Sequence, residues 1–308
     1  MIMNDTAVVE EVIGFRCASA RLWGILTRPA PDVVASATAV LIVVGGPQYR
    51  VGSHRQFVLL ARALAKAGFA TMRFDCTGMG DSEGDPRSFD ALGPDLRAAL
   101  DALSRACPDT QRTVVWGLCD GASAALLFAT NDPRVAGIVA ANPWARSEVT
   151  LAAARVKHYY ATRILQREFW RKLLRGGLHW RATLSSLVSN VRGARLLRGQ
   201  GLAAEGDDPS FQAAMARGLA RFQGRMLLIL SGNDLTAKEF LEYAESSGAW
   251  TGLLHGPKVS RFDLADSDHT FSRRQWLEVV ESETVAWLSA LDESYHGAAA
   301  VKPRKERT

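Results

Sequence analysis

Three residues of the types that cooperate in nucleophilic acyl transfer stand far apart in this chain: Cys119, Asp234 and His269. A thiol needs a base to become a thiolate, and the base needs a third group to fix its tautomer. Cys119 lies in Gly117-Leu118-Cys119-Asp120-Gly121, after the apolar run Thr113-Val114-Val115-Trp116 and before the alanine-rich segment Ala122 to Ala129. That reads as strand, sharp turn, helix. Glycines two positions to either side leave room for a strained turn that lifts the middle side chain clear of its neighbours. Asp234 ends Ser231-Gly232-Asn233-Asp234, just past the run Met226 to Leu230. His269 follows a last strand, Arg261 to Ala265, in Ser267-Asp268-His269-Thr270-Phe271. All three therefore fall beyond the carboxyl ends of expected strands, in the order nucleophile, acid, histidine.

The chemistry expected of this set is attack of the Cys119 sulfur on an acyl carbonyl, with His269 taking the thiol proton and Asp234 orienting the ring. A helix N-terminus after the cysteine favours the thiolate. Two backbone N–H groups would stabilise the oxyanion. One belongs to Asp120. The other comes from the loop Gly45-Gly46-Pro47-Gln48, where Pro47 has no N–H, so Gly46 or Gln48 supplies it. Rival assignments are weaker. Asp120 as nucleophile conflicts with the glycine frame, which selects Cys119. Asp266 and Asp268 are too close in sequence for the His269 ring to turn back to them, and Asp268 reads as a loop hydrogen-bonder. His54 opens the first helix, while His158 and His179 read as surface residues. Asp75, in Asp-x-x-Gly-x-Gly-x-Ser, reads as an organiser of its loop.

The elements that must position these residues alternate. Val12 to Arg16 and Leu22 to Leu26 form an antiparallel pair ended by Pro29 and Pro31. Val40 to Val44 is a buried parallel strand by its unbroken apolar character. Ser53 reads as the cap of a helix reaching Gly68, Phe69 to Phe74 as a strand, Phe89 to Ala106 as a helix and Val135 to Ala140 as a strand. The alternation stops between Ala145 and Phe222 and resumes at Met226. A closing helix is expected from Ser272 to about Leu291. The fold class is α/β, a mostly parallel doubly wound sheet with a helical cap inserted over the carboxyl ends of the strands. The expected division is a core of 1–144 and 223–295, a basic cap of 145–222, and a disordered basic tail of 296–308.

Composition narrows the function classes. The chain has 308 residues, 47% hydrophobic and 22% charged, as in a globular protein. No apolar run is long enough to span a bilayer, and the acidic start gives no secretory n-region, so a cytoplasmic location is expected. The cysteines Cys17, Cys76, Cys107 and Cys119 lack zinc-ligand spacing, and neither a metal nor another cofactor is expected. Charge is uneven. Between Ala145 and Gln200, twelve Lys and Arg outnumber two acids, a local +10 within a chain of +5. The cap mixes these cations with apolar residues, which makes Lys157, His158, Tyr159, Trp170 and Arg171 candidates for substrate contact. Three readings of that basic face stand together: a tunnel for a small-molecule or carrier-bound acyl substrate of anionic character, peripheral contact with an anionic membrane, or a solvated surface. No nucleic-acid motif accompanies the charge.

The glycine-framed turn is the nucleophile elbow of α/β-hydrolases, and the chain resembles that superfamily over nearly its whole length. More narrowly it resembles the exosortase A system-associated hydrolases of the first type. The resemblance is carried by Val44-Gly45-Gly46-Pro47-Gln48-Tyr49-Arg50-Val51-Gly52-Ser53-His54-Arg55-Gln56, by Phe74-Asp75 with Gly78-Met79-Gly80-Asp81-Ser82-Glu83-Gly84, and by Trp116-Gly117-Leu118-Cys119-Asp120. Lys157-His158-Tyr159-Tyr160 and Phe169-Trp170-Arg171-Lys172-Leu173-Leu174 extend it into the cap. The resemblance implies a cofactor-free cytoplasmic hydrolase or acyltransferase linked to exopolysaccharide and PEP-CTERM protein export. The expected function is cleavage of an ester, thioester or lactone through an acyl-enzyme. Acyl transfer to a sugar or lipid hydroxyl and a retired binding module are the alternatives.

Overall fold

The computed structural model describes residues 8–46, 48–145 and 210–300. Eight strands form one sheet in the order β1-β2-β4-β3-β5-β6-β7-β8. The strands are β1 (Val9–Cys17), β2 (Ala20–Arg28), β3 (Thr38–Val43), β4 (Thr71–Phe74), β5 (Arg112–Leu118), β6 (Val135–Ala141), β7 (Arg225–Ser231) and β8 (Val259–Leu264). β1 pairs antiparallel with β2, and β2 antiparallel with β4; every pairing from β4 through β8 is parallel. The β3–β4–β5 reversal of sequence order places a switch point at the carboxyl ends of β3 and β5, where ligands bind in such sheets.

Six helices are described: α1 (Gln56–Lys66), α2 (Gly93–Ala106), α3 (Asp120–Phe128), α4 (Phe211–Arg221), α5 (Leu235–Ser246) and α6 (Arg274–Ala300). The two-residue period of the strands splits the core. Val40, Ile42, Val114, Trp116 and Ile229 face α1 and α6 through Phe57, Leu60, Leu64, Val280 and Leu288. Leu41, Val43, Val115, Ile138 and Leu228 face the other layer, where Leu96, Leu100, Met215, Leu219 and Phe240 cover them. A central strand buried on both faces has no reason to alternate, which is why β3, β5, β6 and β7 read as apolar runs.

Several boundaries differ from the sequence reading. Ser53 makes no capping bond; Ser53–Arg55 is a 3-10 turn, and Arg55 precedes α1 in a left-handed conformation with φ 61°. The helix expected from Phe89 is a short turn, Phe89–Ala91, followed by α2 from Gly93. Pro94 sits at the start of α2, where its missing N–H costs nothing, whereas inside a longer helix it would break the ladder. The closing helix continues past Leu291 to Ala300, into the stretch expected as a disordered tail from 296; Ala298 to Ala300 are strong helix formers. Most of the expected cap, 146–209, lies outside the described residues, as does 301–308. Among the described residues no helix is long and apolar enough to cross a membrane.

Candidate functional site

Cys119 closes β5 and stands at the N-cap of α3 with φ 59° and ψ −125°, a conformation that non-glycine residues rarely adopt. The backbone around it explains why the strain persists. The Cys119 amide donates to Ala141 O (2.9 Å), and its carbonyl accepts from Ala122, Ser123 and Trp144 amides. A Cβ on Gly121 would lie 2.6 Å from Val43 O, and one on Gly117 would lie 2.6 Å from Ala122 N. Both framing glycines are thus required by packing between β3, β5 and α3. The thiol is half-buried, whereas Cys17, Cys76 and Cys107 are buried; all four are free.

Asp234 is the N-cap of α5. Its Oδ1 accepts from Thr236 N (3.0 Å) and its Oδ2 from Ala237 N (3.2 Å). Oδ2 also lies 2.7 Å from Nδ1 of His269. The carboxylate is 6% exposed, so the cap fixes it in place and shields the pairing. Cys119 interacts with the same ring. Burial disfavours the imidazolium, but the hydrogen bonds and charges of Asp234 and Cys119 prevail, and the His269 pKa is pushed up to about 10. The three residues singled out in the sequence therefore meet at the carboxyl edge of the sheet.

The expected oxyanion loop follows β3. Gly46 has φ 63° and open space where a side chain would be, which suits close approach by a substrate. Gln48 has a buried Oε1 without a partner among the described residues. Asp75 holds this loop against its neighbour. It is fully buried and accepts from the Arg50 amide (2.6 Å) and the Asp81 amide (3.1 Å), while the Arg50 guanidinium pairs with it and with Asp81. Asp75 is thus the organiser that the sequence suggested. Asp268 also behaves as read: it accepts from the amides of Thr270 (3.2 Å) and Ser272 (2.9 Å) and shapes the loop behind His269. His54, with φ 53°, faces Asp268 from the turn before α1. Lys157, His158, Tyr159, Trp170 and Arg171 lie outside the described residues.

Sequence reasoning missed Asn142. It follows β6, is fully buried and has φ 44°. Its Nδ2 donates to Ser231 Oγ (2.9 Å) and to His269 O (3.0 Å), and its Oδ1 accepts from Ser231 N (2.8 Å). The amide ties the ends of β6 and β7 to the histidine loop. An asparagine ending an unbroken apolar strand was the available signal.

A cavity of about 630 Å³ bordered by Arg16, Arg97, Arg105 and Phe128 contains none of these residues. Among the described residues no group of three or more metal-ligating side chains is gathered.

A glycine-framed strand-to-helix turn after β5, an acid after β7 and a histidine after β8, on an eight-stranded sheet of this order, define the α/β-hydrolase fold. Solved structures agree. Esterase Pf2001 of Pyrococcus furiosus is 17% identical, with a TM-score of 0.61 and 94% of this chain and 96% of that chain covered. Est1E of Butyrivibrio proteoclasticus is 13% identical, with a TM-score of 0.58 and 91% and 98% covered. Proline iminopeptidase of Mycobacterium smegmatis is 17% identical, with a TM-score of 0.56 and 92% and 100% covered. Within this fold the chain belongs to the hydrolase family described as serine aminopeptidase S33, whose model matches residues 35–232. The quorum-quenching protein AidA of Acinetobacter baumannii is 32% identical over 126 residues. That match spans 39% of this chain and 39% of AidA. The family's description specifies serine; this chain carries Cys119 at the elbow.

Proposed function

We propose that this protein is a cysteine-dependent hydrolase that cleaves an ester, thioester or lactone through an acyl-enzyme on Cys119. The observation that carries this reading is the convergence of the Cys119 thiol, the His269 ring and the buried Asp234 carboxylate at the strand ends. His269 takes the thiol proton of Cys119, which leaves a thiolate–imidazolium pair with Asp234 holding the ring. The thiolate attacks the acyl carbon, the carbonyl electrons move to oxygen, and the Asp120 amide with that of Gly46 or Gln48 receives the oxyanion. Collapse expels the alcohol or thiol leaving group, which takes the His269 proton. Water, deprotonated by His269, then releases the acid and restores the thiolate. A thioester suits this nucleophile because one thiolate replaces another, so the acyl exchange is nearly balanced.

The reading extends to a cytoplasmic enzyme of exopolysaccharide and PEP-CTERM export, on the motif resemblance given above, with the basic segment 145–200 receiving an anionic acyl donor or an anionic membrane. The AidA match adds quorum quenching to the roles to be tested. Transfer to a sugar or lipid hydroxyl differs only in what replaces water.

The test is the intact mass of the protein after brief exposure to acyl thioesters, activated esters and lactones, beside Cys119→Ala. One added acyl group in the wild type alone supports the reading. Turnover that survives Cys119→Ala, or folded protein that neither gains mass nor releases product, overturns it.

A further inference from the structure

The side chain of Asp120 has no part in the mechanism above, yet it occupies a costly position. A carboxyl beside a thiolate and an oxyanion site opposes the charge that must form there. The fold nonetheless makes room for it. A Cβ on Gly45 would run into Asp120 Oδ1, and would also lie 2.5 Å from Leu118 O and 2.7 Å from Gly121 N. The carboxyl therefore fills the space beneath the oxyanion loop that a side chain at 45 would take. Its Oδ1 is buried without a hydrogen-bond partner. The amides of Gly46, Gly121 and Asp120 itself face the carboxyl and favour its ionised form, but none reaches Oδ1 in bonding geometry, and burial prevails to raise its pKa. The other titratable groups facing it are His269 from the β8 loop, Cys76 from the end of β4 and the adjacent Cys119. Asp75 and Arg50 form their own ion pair across the neighbouring loops.

We propose that Asp120 is a positioning residue that latches the oxyanion site: ionised, its carboxylate claims the Gly46 amide; protonated, it releases that amide to the substrate. The inference rests on the acyl-enzyme reading, with Gly46 rather than Gln48 as the oxyanion donor, for its effect on rate, but not for the latch itself. Deprotonation adds two penalties at once. One oxyanion donor is engaged elsewhere, and a negative charge stands beside a developing one. The enzyme would then acylate faster on the acid side of the Asp120 titration.

Two readings of the wild type, Asp120→Asn and Asp120→Ser decide the matter. The first is the Gly46 amide proton shift across pH. The second is the acylation burst of p-nitrophenyl acetate across the same range. In the wild type the Gly46 amide is expected to titrate, and the burst rate to fall by about 10-fold or more as it does, since one oxyanion donor is worth about 10²–10³ in rate. Both neutral variants lose the titration and that limb of the profile. A Gly46 amide indifferent to pH, or wild-type and variant profiles that superimpose, overturns the latch. Absence of any acyl-enzyme while the Gly46 amide still titrates sinks the acyl-enzyme reading and leaves the latch standing.

Discussion

The Oδ2 of Asp234 that lies 2.7 Å from His269 Nδ1 also accepts the Ala237 amide of α5. One carboxylate thus starts a helix and orients a ring. The two roles separate by substitution. Asparagine caps helices about as well as aspartate but carries no charge to hold an imidazolium. Asp234→Asn is expected to keep the helix cap but lose the stability that the His269 imidazolium supplies, while ester turnover drops by about 10³–10⁴-fold. Asp234→Ala is expected to lose the turnover and about 1 kcal/mol more than Asp234→Asn, because the cap goes too. Unimpaired turnover in Asp234→Asn would remove Asp234 from the triad.

The four thiols differ in reach. Burial raises the pKa of Cys17, Cys76 and Cys107, while Cys119 is half-buried beside His269. Iodoacetamide on the folded protein at pH 7 is expected to modify Cys119 and leave the others intact, as read by peptide mass mapping. His269→Ala should slow that modification by roughly 10-fold or more, because the thiolate loses its counter-charge. Equal labelling of all four cysteines would argue against an activated Cys119.

The His269 proton sets a stability window. Its pKa rises from the ordinary 6.5 to about 10 on folding. A raised folded-state pKa means that the native state binds the proton more tightly, so the contribution is complete below 6.5 and fades as pH climbs to about 10. The stability difference between wild type and His269→Asn, measured by urea denaturation, should shrink across that interval. The acylation rate should also fall near its upper end, where the leaving group loses its proton donor. A difference that stays flat would place the proton elsewhere.

Asn142→Ala removes the two donors and one acceptor that link Ser231 to the His269 loop, and it leaves the Ser231 amide buried without its bond. A loss of about 1–3 kcal/mol in urea denaturation is expected. The residual folded enzyme should have a lowered kcat, because the ring is carried by the loop that Asn142 braces. Wild-type kcat with wild-type stability would show the brace to be idle.

The meeting of Cys119, Asp234 and His269 at the strand ends was legible in the sequence because strand ends are marked by apolar runs, and turn chemistry follows them directly. Gly117 and Gly121 declare the turn by themselves, whatever lies nearby. Asn142 and the Asp120 carboxyl were not legible in the same way. Their roles depend on which loops meet across the sheet, and that meeting is decided by the order β4-β3-β5-β6-β7. The turn before α1 failed for a related reason. Ser53 has the composition of a cap, but the left-handed His54 and Arg55 redirect the chain before the helix begins.

The strained backbone at Cys119 is set by main-chain packing and hydrogen bonds of Val43, Ala141, Gly117 and Gly121. The scaffold is therefore blind to the element it displays there. Sulfur or oxygen at that point is a choice between two repertoires of leaving group, made without any change in architecture. A lineage built on this elbow can cross between thiol and alcohol chemistry by exchanging one atom, with selection acting on the reaction and the fold left as a bystander.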